Sequence, residues 1–172
     1  MSLVVADAGP LIGLSRVGHL QLLADLFGEV VITPVVAEEL GLPPSQPPQD
    51  FPGLAGLLDA VAQGWIRVVP MSGDDLADQP LNPGVDAGEA SSIALALQWR
   101  REQRTVLLLM DDRIGRAEAH RQALSVTGTA AVVALAQEQG LIAAAAPVLD
   151  DLRAQGYFIS PAIVAAVLAQ LP

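Results

Sequence analysis

Short segments made only of apolar residues alternate along this chain with longer segments of helical periodicity. The clearest apolar segments are residues 3–6, 30–32 and 106–110. Between them, apolar residues recur at the three- and four-residue spacing of amphipathic helices. Strands that are apolar on both faces are typical of parallel sheets covered by helices on both sides. The pattern therefore predicts an α/β fold around a central, mainly parallel sheet.

The same patterns predict the remaining elements. Shorter strands are expected over 65–69 and 125–127. Helices are expected over 10–27, 35–40, 54–62, 85–103, 129–140, 147–154 and 162–171. The first of these is divided at Gly18, and one more helix is expected from the end of the third apolar strand through 123. Thr129 is expected to cap its helix, and helix 85–103 to bury one face. The five prolines between 42 and 52 predict a loop, and residues 72–83 an irregular acidic connection. A length of 172 residues suits one domain, 1–172, with helices 147–171 appended.

Several kinds of chemistry are excluded by composition. The chain has no cysteine and no lysine, which removes thiolate zinc sites, thiol nucleophiles and Schiff bases. Two histidines are too few for a histidine-rich metal cage. The net charge of −10 disfavours non-specific attraction to nucleic acid or to anionic membranes. No apolar run is long enough to span a membrane, and the N-terminus does not resemble a signal peptide, so we expect a soluble cytoplasmic protein.

Carboxylates follow two of the apolar strands. Asp7 comes directly after strand 3–6, and Asp111 and Asp112 follow strand 106–110. In an open parallel sheet, ligands bind beyond the carboxyl ends of the strands, which favours a functional site there. Each aspartate alone could instead cap the helix that follows it, since aspartate is common at that position.

Further carboxylates fall at helices near the same edge. Glu38 and Glu39 lie on the helix after the second strand, and only one of them can face the crevice. Asp86 and Glu89 fall at the start of helix 85–103, where the helix dipole also favours acidic residues. Two such charges about 4 Å apart repel by roughly 4 kcal/mol at an effective dielectric constant near 20, so a cluster of them needs protons or a cation. Mg²⁺ and Mn²⁺ prefer oxygen ligands and require no cysteine, histidine or lysine.

Five segments, in this order, resemble the PIN domain family: VVADAGPLIGL, VVITPVVAEEL, GVDAGEASSIALAL, LLLMDDR and VTGTAAV. The resemblance is to a subfamily with the pattern DxSPLI, EEL, GEAEAI and LLIDDR, and it covers nearly the whole chain. It implies a three-layer α/β/α sandwich and a Mg²⁺- or Mn²⁺-dependent ribonuclease. Many members are VapC-like toxins that a cognate antitoxin protein neutralises.

The resemblance also implies the site residues. It assigns catalytic roles to Asp7, Glu39, Glu89 and Asp112, and metal binding to Asp7, Glu89, Asp111 and Asp112. The sequence departs from the subfamily at Ala8-Gly9, Ser91 and Met110, where a serine, a glutamate and a threonine often stand. These departures affect positioning by hydroxyl groups more than metal binding. The role of Asp86 stays open, as does the choice between Glu38 and Glu39 and between Asp111 and Asp112.

Arginines are concentrated between positions 100 and 121, where six of the nine lie. Arg113 and Arg116 follow the acidic strand end directly and are the expected contacts to RNA phosphates. The arginines at 100–104 fit a solvated helix face better. The apolar composition and the Ala-rich last helix predict a homodimer. Two other hypotheses remain: a PIN-like module without catalysis that binds protein or nucleic acid, and a receiver-type domain, which the lack of lysine argues against.

Overall fold

Five parallel strands form the central sheet of this protein, whose computed structural model describes residues 3–42, 52–71 and 82–169. They are β1 (Leu3–Ala6), β2 (Val30–Ile32), β3 (Ile66–Val68), β4 (Val106–Leu109) and β5 (Ser125–Thr127). Their order across the sheet is β3-β2-β1-β4-β5, with all neighbours parallel. The chain winds to one side of β1 first and then to the other. Beyond the carboxyl ends of β1 and β4 lies the position where such sheets bind ligands.

Nine helices are present in the described part of the chain, six of them between strands and three after the last strand. They are α1 (Ala8–Arg16), α2 (Leu22–Phe27), α3 (Pro34–Glu39), α4 (Leu54–Ala62), α5 (Ala87–Arg101), α6 (Arg113–Arg121), α7 (Thr129–Glu138), α8 (Ala145–Ala154) and α9 (Pro161–Leu168). Within β1, Val4 and Ala6 pack with α1, α4, α7 and α8, while Val5 packs on the other face with α5 and α6. The sheet thus has an apolar core on each face, and the predicted α/β/α architecture is confirmed.

Most predicted elements are present, and their bounds equal the predicted ones or differ from them by up to four residues. Helix α5 begins at Ala87 rather than at 85, because Asp86 caps it. Gly18 has a φ of 72° between α1 and α2, which explains why the helical pattern divides there. Most of the proline-rich loop (43–51), most of the acidic connection (72–81) and the end of the last predicted helix (170–171) lie outside the described residues.

The prediction that Thr129 caps α7 is wrong. Gly128 is the N-cap, and Thr129 is the first helical residue. The threonine hydroxyl donates instead to Oδ2 of Asp111 at 2.6 Å, because the end of β4 lies beside the start of α7. Thr129 therefore links the end of β4 to the start of α7 and does not cap α7.

The expectation of a single buried face on α5 is also wrong. Every residue from 88 to 97 is buried. Small alanine, glycine and serine side chains on this helix let α3, α6, β1 and β4 approach it from different sides. Helix α5 therefore runs through the protein interior and carries its first turn to the sheet edge. Within the described residues, no helix is long and apolar enough to cross a membrane.

Candidate active site

Asp7 occupies the junction between β1 and α1 at the sheet edge. Its backbone N–H donates to the carbonyl of Leu109 at 3.0 Å, which joins the carboxyl ends of β1 and β4. The side chain is only 8% exposed. Burial, together with the charges of Asp86 and Glu39, raises its pKa from 3.8 to about 7, although the amides of Ala8 and Gly9 partly offset this. A carboxylate that has lost water in this way is poised to accept a proton or a cation.

Glu89 lies in the first turn of α5 and is 3% exposed. It forms a capping box with Asp86: the Glu89 amide donates to Asp86 Oδ1 at 2.9 Å, and the Asp86 amide donates to Glu89 Oε2 at 3.2 Å. Burial and the charges of Asp86, Asp112 and Asp7 together raise the pKa of Glu89 to about 7, although the hydrogen bond from the Asp86 amide partly offsets this. The carboxylates from β1, β4 and α5 therefore share one electrostatic environment.

Asp86 is the residue whose role the sequence left open. Its charge raises the pKa values of Asp7, Glu39 and Glu89, so it lies within electrostatic range of all three. The pattern Asp-x-x-Glu before an apolar helix is a recognisable capping signal, but that signal predicts a helix start and not a shared site. Asp86 thus belongs to the cluster as well as to the cap.

Glu39, rather than Glu38, is the member of its pair that meets this cluster. Its carboxylate lies beside the backbone of Gly88. Burial and the charge of Asp86 raise its pKa, although the hydrogen bond from the Gly88 amide partly offsets this. The hydroxyl groups of Thr33 and Ser91, 2.6 Å apart, join α3 to α5. Thr33 also accepts from the Val36 amide at 3.2 Å. A hydroxyl therefore stands at Ser91, where the subfamily often has a glutamate, and it holds the helix that carries Glu39.

Asp112 caps α6 and faces Glu89. Its Oδ1 accepts from the amides of Ile114 and Gly115 at 2.7 and 3.1 Å. Gly115 also contacts Glu89, because a Cβ at Gly115 would lie 2.8 Å from the carboxyl carbon of Glu89. The capping interpretation of this aspartate is thus confirmed, and it coexists with a place in the carboxylate cluster.

Asp111 has a different set of partners. Its Oδ1 accepts from the Thr129 amide at 2.9 Å, and its Oδ2 accepts from the Thr129 hydroxyl and from the Tyr157 hydroxyl. Both oxygens are therefore engaged, by the start of α7 and by Tyr157, which lies three residues beyond the end of α8. The sequence contained no signal for Tyr157, because it lies in the C-terminal tail, far from every acidic motif.

Arg113 and Arg116 differ in their exposure and in their hydrogen bonds. Arg113 is exposed at the first position of α6. Arg116 is half-buried, and its Nη1 donates to the Met110 carbonyl at 2.9 Å. Both lie beside the acidic edge, but only Arg113 projects into solvent.

The donor chemistry of the cluster fits a hard divalent cation, since every side chain in it offers carboxylate oxygens. Among the described residues, however, no three His, Asp or Glu side chains are arranged as a ready-made metal site. Asp86 lies near enough to Asp7 and Glu89 for its charge to raise the pKa values of both. A cation would lower that repulsion, and the exposed residues Glu39 and Asp112 lie beside this group.

Comparison with known proteins agrees with the fold. A family model described as a PIN domain matches residues 3–172. Among solved structures, a PilT N-terminus domain protein from the hyperthermophilic archaeon Sulfolobus solfataricus is similar in fold. Its TM-score is 0.52, with 15% sequence identity over 79% of this chain and 94% of that chain. No curated protein sequence matches the chain.

Proposed function

Because this chain belongs to the PIN domain family, whose members are generally nucleases, we propose that it is a metal-dependent endoribonuclease. The observation that carries the proposal is the convergence of Asp7, Glu89 and Asp112 from three different elements. Burial and mutual repulsion raise the pKa values of the first two to about 7. Such crowding costs stability unless a ligand offsets it, which favours a functional role over capping alone.

The proposed roles follow from position. Asp7, Glu89 and Asp112 hold Mg²⁺ or Mn²⁺, and Glu39 completes the set or orients water. Bound there, the cation would lower the pKa of a water that attacks phosphorus and would neutralise phosphate oxygens. Asp111, which the family resemblance also assigned to the metal, is engaged on both oxygens by Thr129 and Tyr157 and supports the adjacent Asp112.

RNA binding must overcome a net charge of −10. The cation and the nearby guanidinium of Arg113 supply positive charge at the point where phosphate would enter, with Arg116 behind it. Affinity for RNA is therefore expected to be modest and to depend steeply on the divalent ion.

We further propose that the protein acts in the cytoplasm as the toxin of a toxin–antitoxin pair and forms a homodimer. None of the residues of α9 is buried, and all are apolar. Ile163 is 50% exposed, and Phe158 just before the helix is 86% exposed. An apolar surface of this kind favours a protein partner.

Metal-dependent cleavage tests the proposal. Wild-type protein and Glu89→Gln are incubated with a fluorescent single-stranded RNA and Mn²⁺, with Glu138→Gln as the matched control. Glu138 is exposed near the end of α7, so its substitution makes the same chemical change away from the cluster. Cleavage by wild type and Glu138→Gln but not by Glu89→Gln is expected. Equal cleavage by Glu89→Gln and wild type contradicts the proposed site, and no cleavage by any of the three proteins supports the non-catalytic module instead.

A further inference from the structure

Tyr157 is the only tyrosine of the chain, and it reaches the acidic edge from the residues that follow α8. Its hydroxyl donates to Oδ2 of Asp111 and lies 3.5 Å from the Thr129 hydroxyl. Its backbone amide donates to the Leu152 carbonyl at 2.9 Å, which fixes it to the end of α8. One side chain thus connects the C-terminal helices to the end of β4.

The ring of Tyr157 also contacts α1. A Cβ at Gly13 would lie 2.8 and 2.9 Å from Cε2 and Cδ2 of the ring, so the ring rests directly on the helix backbone. A Cβ at Gly9 would lie 3.5 Å from the Tyr157 hydroxyl and 3.8 Å from Asp7 Oδ2. Any larger residue at Gly13 would displace the ring. The tyrosine therefore touches the helix that begins next to Asp7.

These contacts place Tyr157 between the two strand ends that supply carboxylates. Asp111 immediately precedes Asp112, and α1 immediately follows Asp7. We propose that Tyr157 is a positioning residue of the carboxylate cluster. It holds the β4–α6 junction through Asp111, and it contacts α1 at Gly9, near the start of the helix, and at Gly13 in its middle. The proposal rests on the nuclease function above for its effect on catalysis, but the coupling to Asp111 is independent of that function.

The test removes only the hydroxyl. Tyr157→Phe keeps the ring on Gly13 and deletes the hydrogen bond to Asp111. The control is Gln137→Met, which removes the acceptor of the Ala145 amide at 2.7 Å and so loosens the start of α8 without touching Asp111. Each protein is assayed for kcat and KM on RNA, for Mn²⁺ half-saturation, and for hydrogen exchange at the amides of Gly115 and Thr129.

For Tyr157→Phe we expect the Mn²⁺ concentration at half-saturation to rise about tenfold, which is the effect typical of losing a residue that orients metal ligands. We also expect a lower kcat on RNA with KM unchanged. Exchange at Gly115 and Thr129 should accelerate several-fold relative to both wild type and Gln137→Met. Gln137→Met should lower only the melting temperature. Unchanged exchange in Tyr157→Phe, or equal losses in the two variants, overturns the proposal. If wild type does not cleave RNA, the nuclease function fails, and the exchange data alone decide the role of Tyr157.

Discussion

Gly88 lies where any side chain would collide with the carboxylate of Glu39. A Cβ at Gly88 would be 2.6 Å from Oε2 and 2.7 Å from Oε1 of that glutamate. Gly88 is the second residue of α5, and its φ is not positive, so backbone conformation does not require glycine there. The glycine is required by the close approach of α3 to α5, and it sets the place of Glu39 in the cluster.

Gly88→Ala should therefore separate stability from activity. Glu39 is exposed at the end of α3 and can swing away, so the collision costs little folding free energy. Alanine is also the better helix former, by about 0.5–1 kcal/mol in a helix interior. We expect a melting temperature equal to or above that of wild type, with RNA cleavage reduced about tenfold or more.

Gly53→Ala provides the contrast for that variant. Gly53 has a φ of 99°, and a Cβ there would lie 2.6 Å from the backbone of Ser15. We expect this variant to lose stability, because neither the left-handed backbone conformation nor the collision with the Ser15 backbone can be relieved by moving a side chain. Equal cleavage by Gly88→Ala and wild type would contradict the role given to Glu39.

Divalent metal should stabilise the folded protein, because it binds the assembled carboxylates and not the unfolded chain. At 100 times the dissociation constant the gain is about 2.7 kcal/mol, or roughly 5–10 °C in melting temperature. Asp7→Asn should abolish this shift. Its melting temperature without metal should equal or exceed that of wild type, since it removes a buried, repelled charge. A wild-type melt that is insensitive to millimolar Mn²⁺ contradicts the site.

The raised pKa values of Asp7 and Glu89 predict the pH dependence of the metal-free protein. Their ordinary values are 3.8 and 4.5, and both rise to about 7 in the folded state. Between about pH 4 and 7 the folded state binds more protons than the unfolded state, so stability falls as pH rises and levels off above pH 7. Mn²⁺ affinity should rise over the same range.

Thermal melts in chelator from pH 4 to 8, with Mn²⁺ titrations at pH 6 and pH 8, measure both effects. Asp7→Asn should show a shallower fall in melting temperature over this range than wild type. A flat stability profile in wild type, or equal Mn²⁺ affinity at the two pH values, would show that these carboxylates are not coupled as the structure indicates.

Much of this site could be predicted from the sequence because it depends on local rules. The carboxyl ends of parallel strands share one edge, so Asp7 and Asp112 could be placed together from two apolar segments alone. Which of Glu38 and Glu39 faces the cluster depends on how α3 is rotated against α5. That rotation follows from the Thr33–Ser91 hydrogen bond and the space at Gly88, which only tertiary packing creates.

The parts that were missed depend on contacts between residues far apart in the chain. Asp111 and Tyr157 are 46 positions apart, and nothing near Tyr157 indicates an acidic partner. The wrong assignment of Thr129 as a cap has the same origin. Threonine beside a helix start is a capping signal locally, but the approach of Asp111 redirects its hydroxyl.

The two arginines near the site should respond differently to substitution. Arg113→Ala should weaken RNA binding and reduce its salt dependence without changing the melting temperature, since the side chain is exposed. Arg116→Ala should also weaken binding, but it removes the donor to the Met110 carbonyl and should cost about 1–2 kcal/mol of stability. Fluorescence anisotropy at two salt concentrations, paired with thermal melts, checks both. Identical melts for the two variants would contradict the structural role of Arg116.

The apolar surface formed by Phe158 and α9 should mediate dimerisation. Light scattering at micromolar concentration should give twice the 17.8 kDa chain mass. Ile163→Glu places a charge on this surface and should yield a folded monomer, because no α9 residue is buried. A 17.8 kDa species for wild type contradicts the dimer, and an unchanged dimer in Ile163→Glu places its interface elsewhere.

The most direct test of the nuclease mechanism is RNA cleavage by Asp112→Asn. Asp112 faces Glu89 and caps α6 through Oδ1, an atom that asparagine replaces with an amide oxygen able to accept the same bonds. The variant should thus fold normally and lose Mn²⁺-dependent cleavage, while Asp151→Asn, an exposed control on α8, should cleave like wild type. Full cleavage by Asp112→Asn, or cleavage by wild type that persists in excess chelator, would contradict the mechanism.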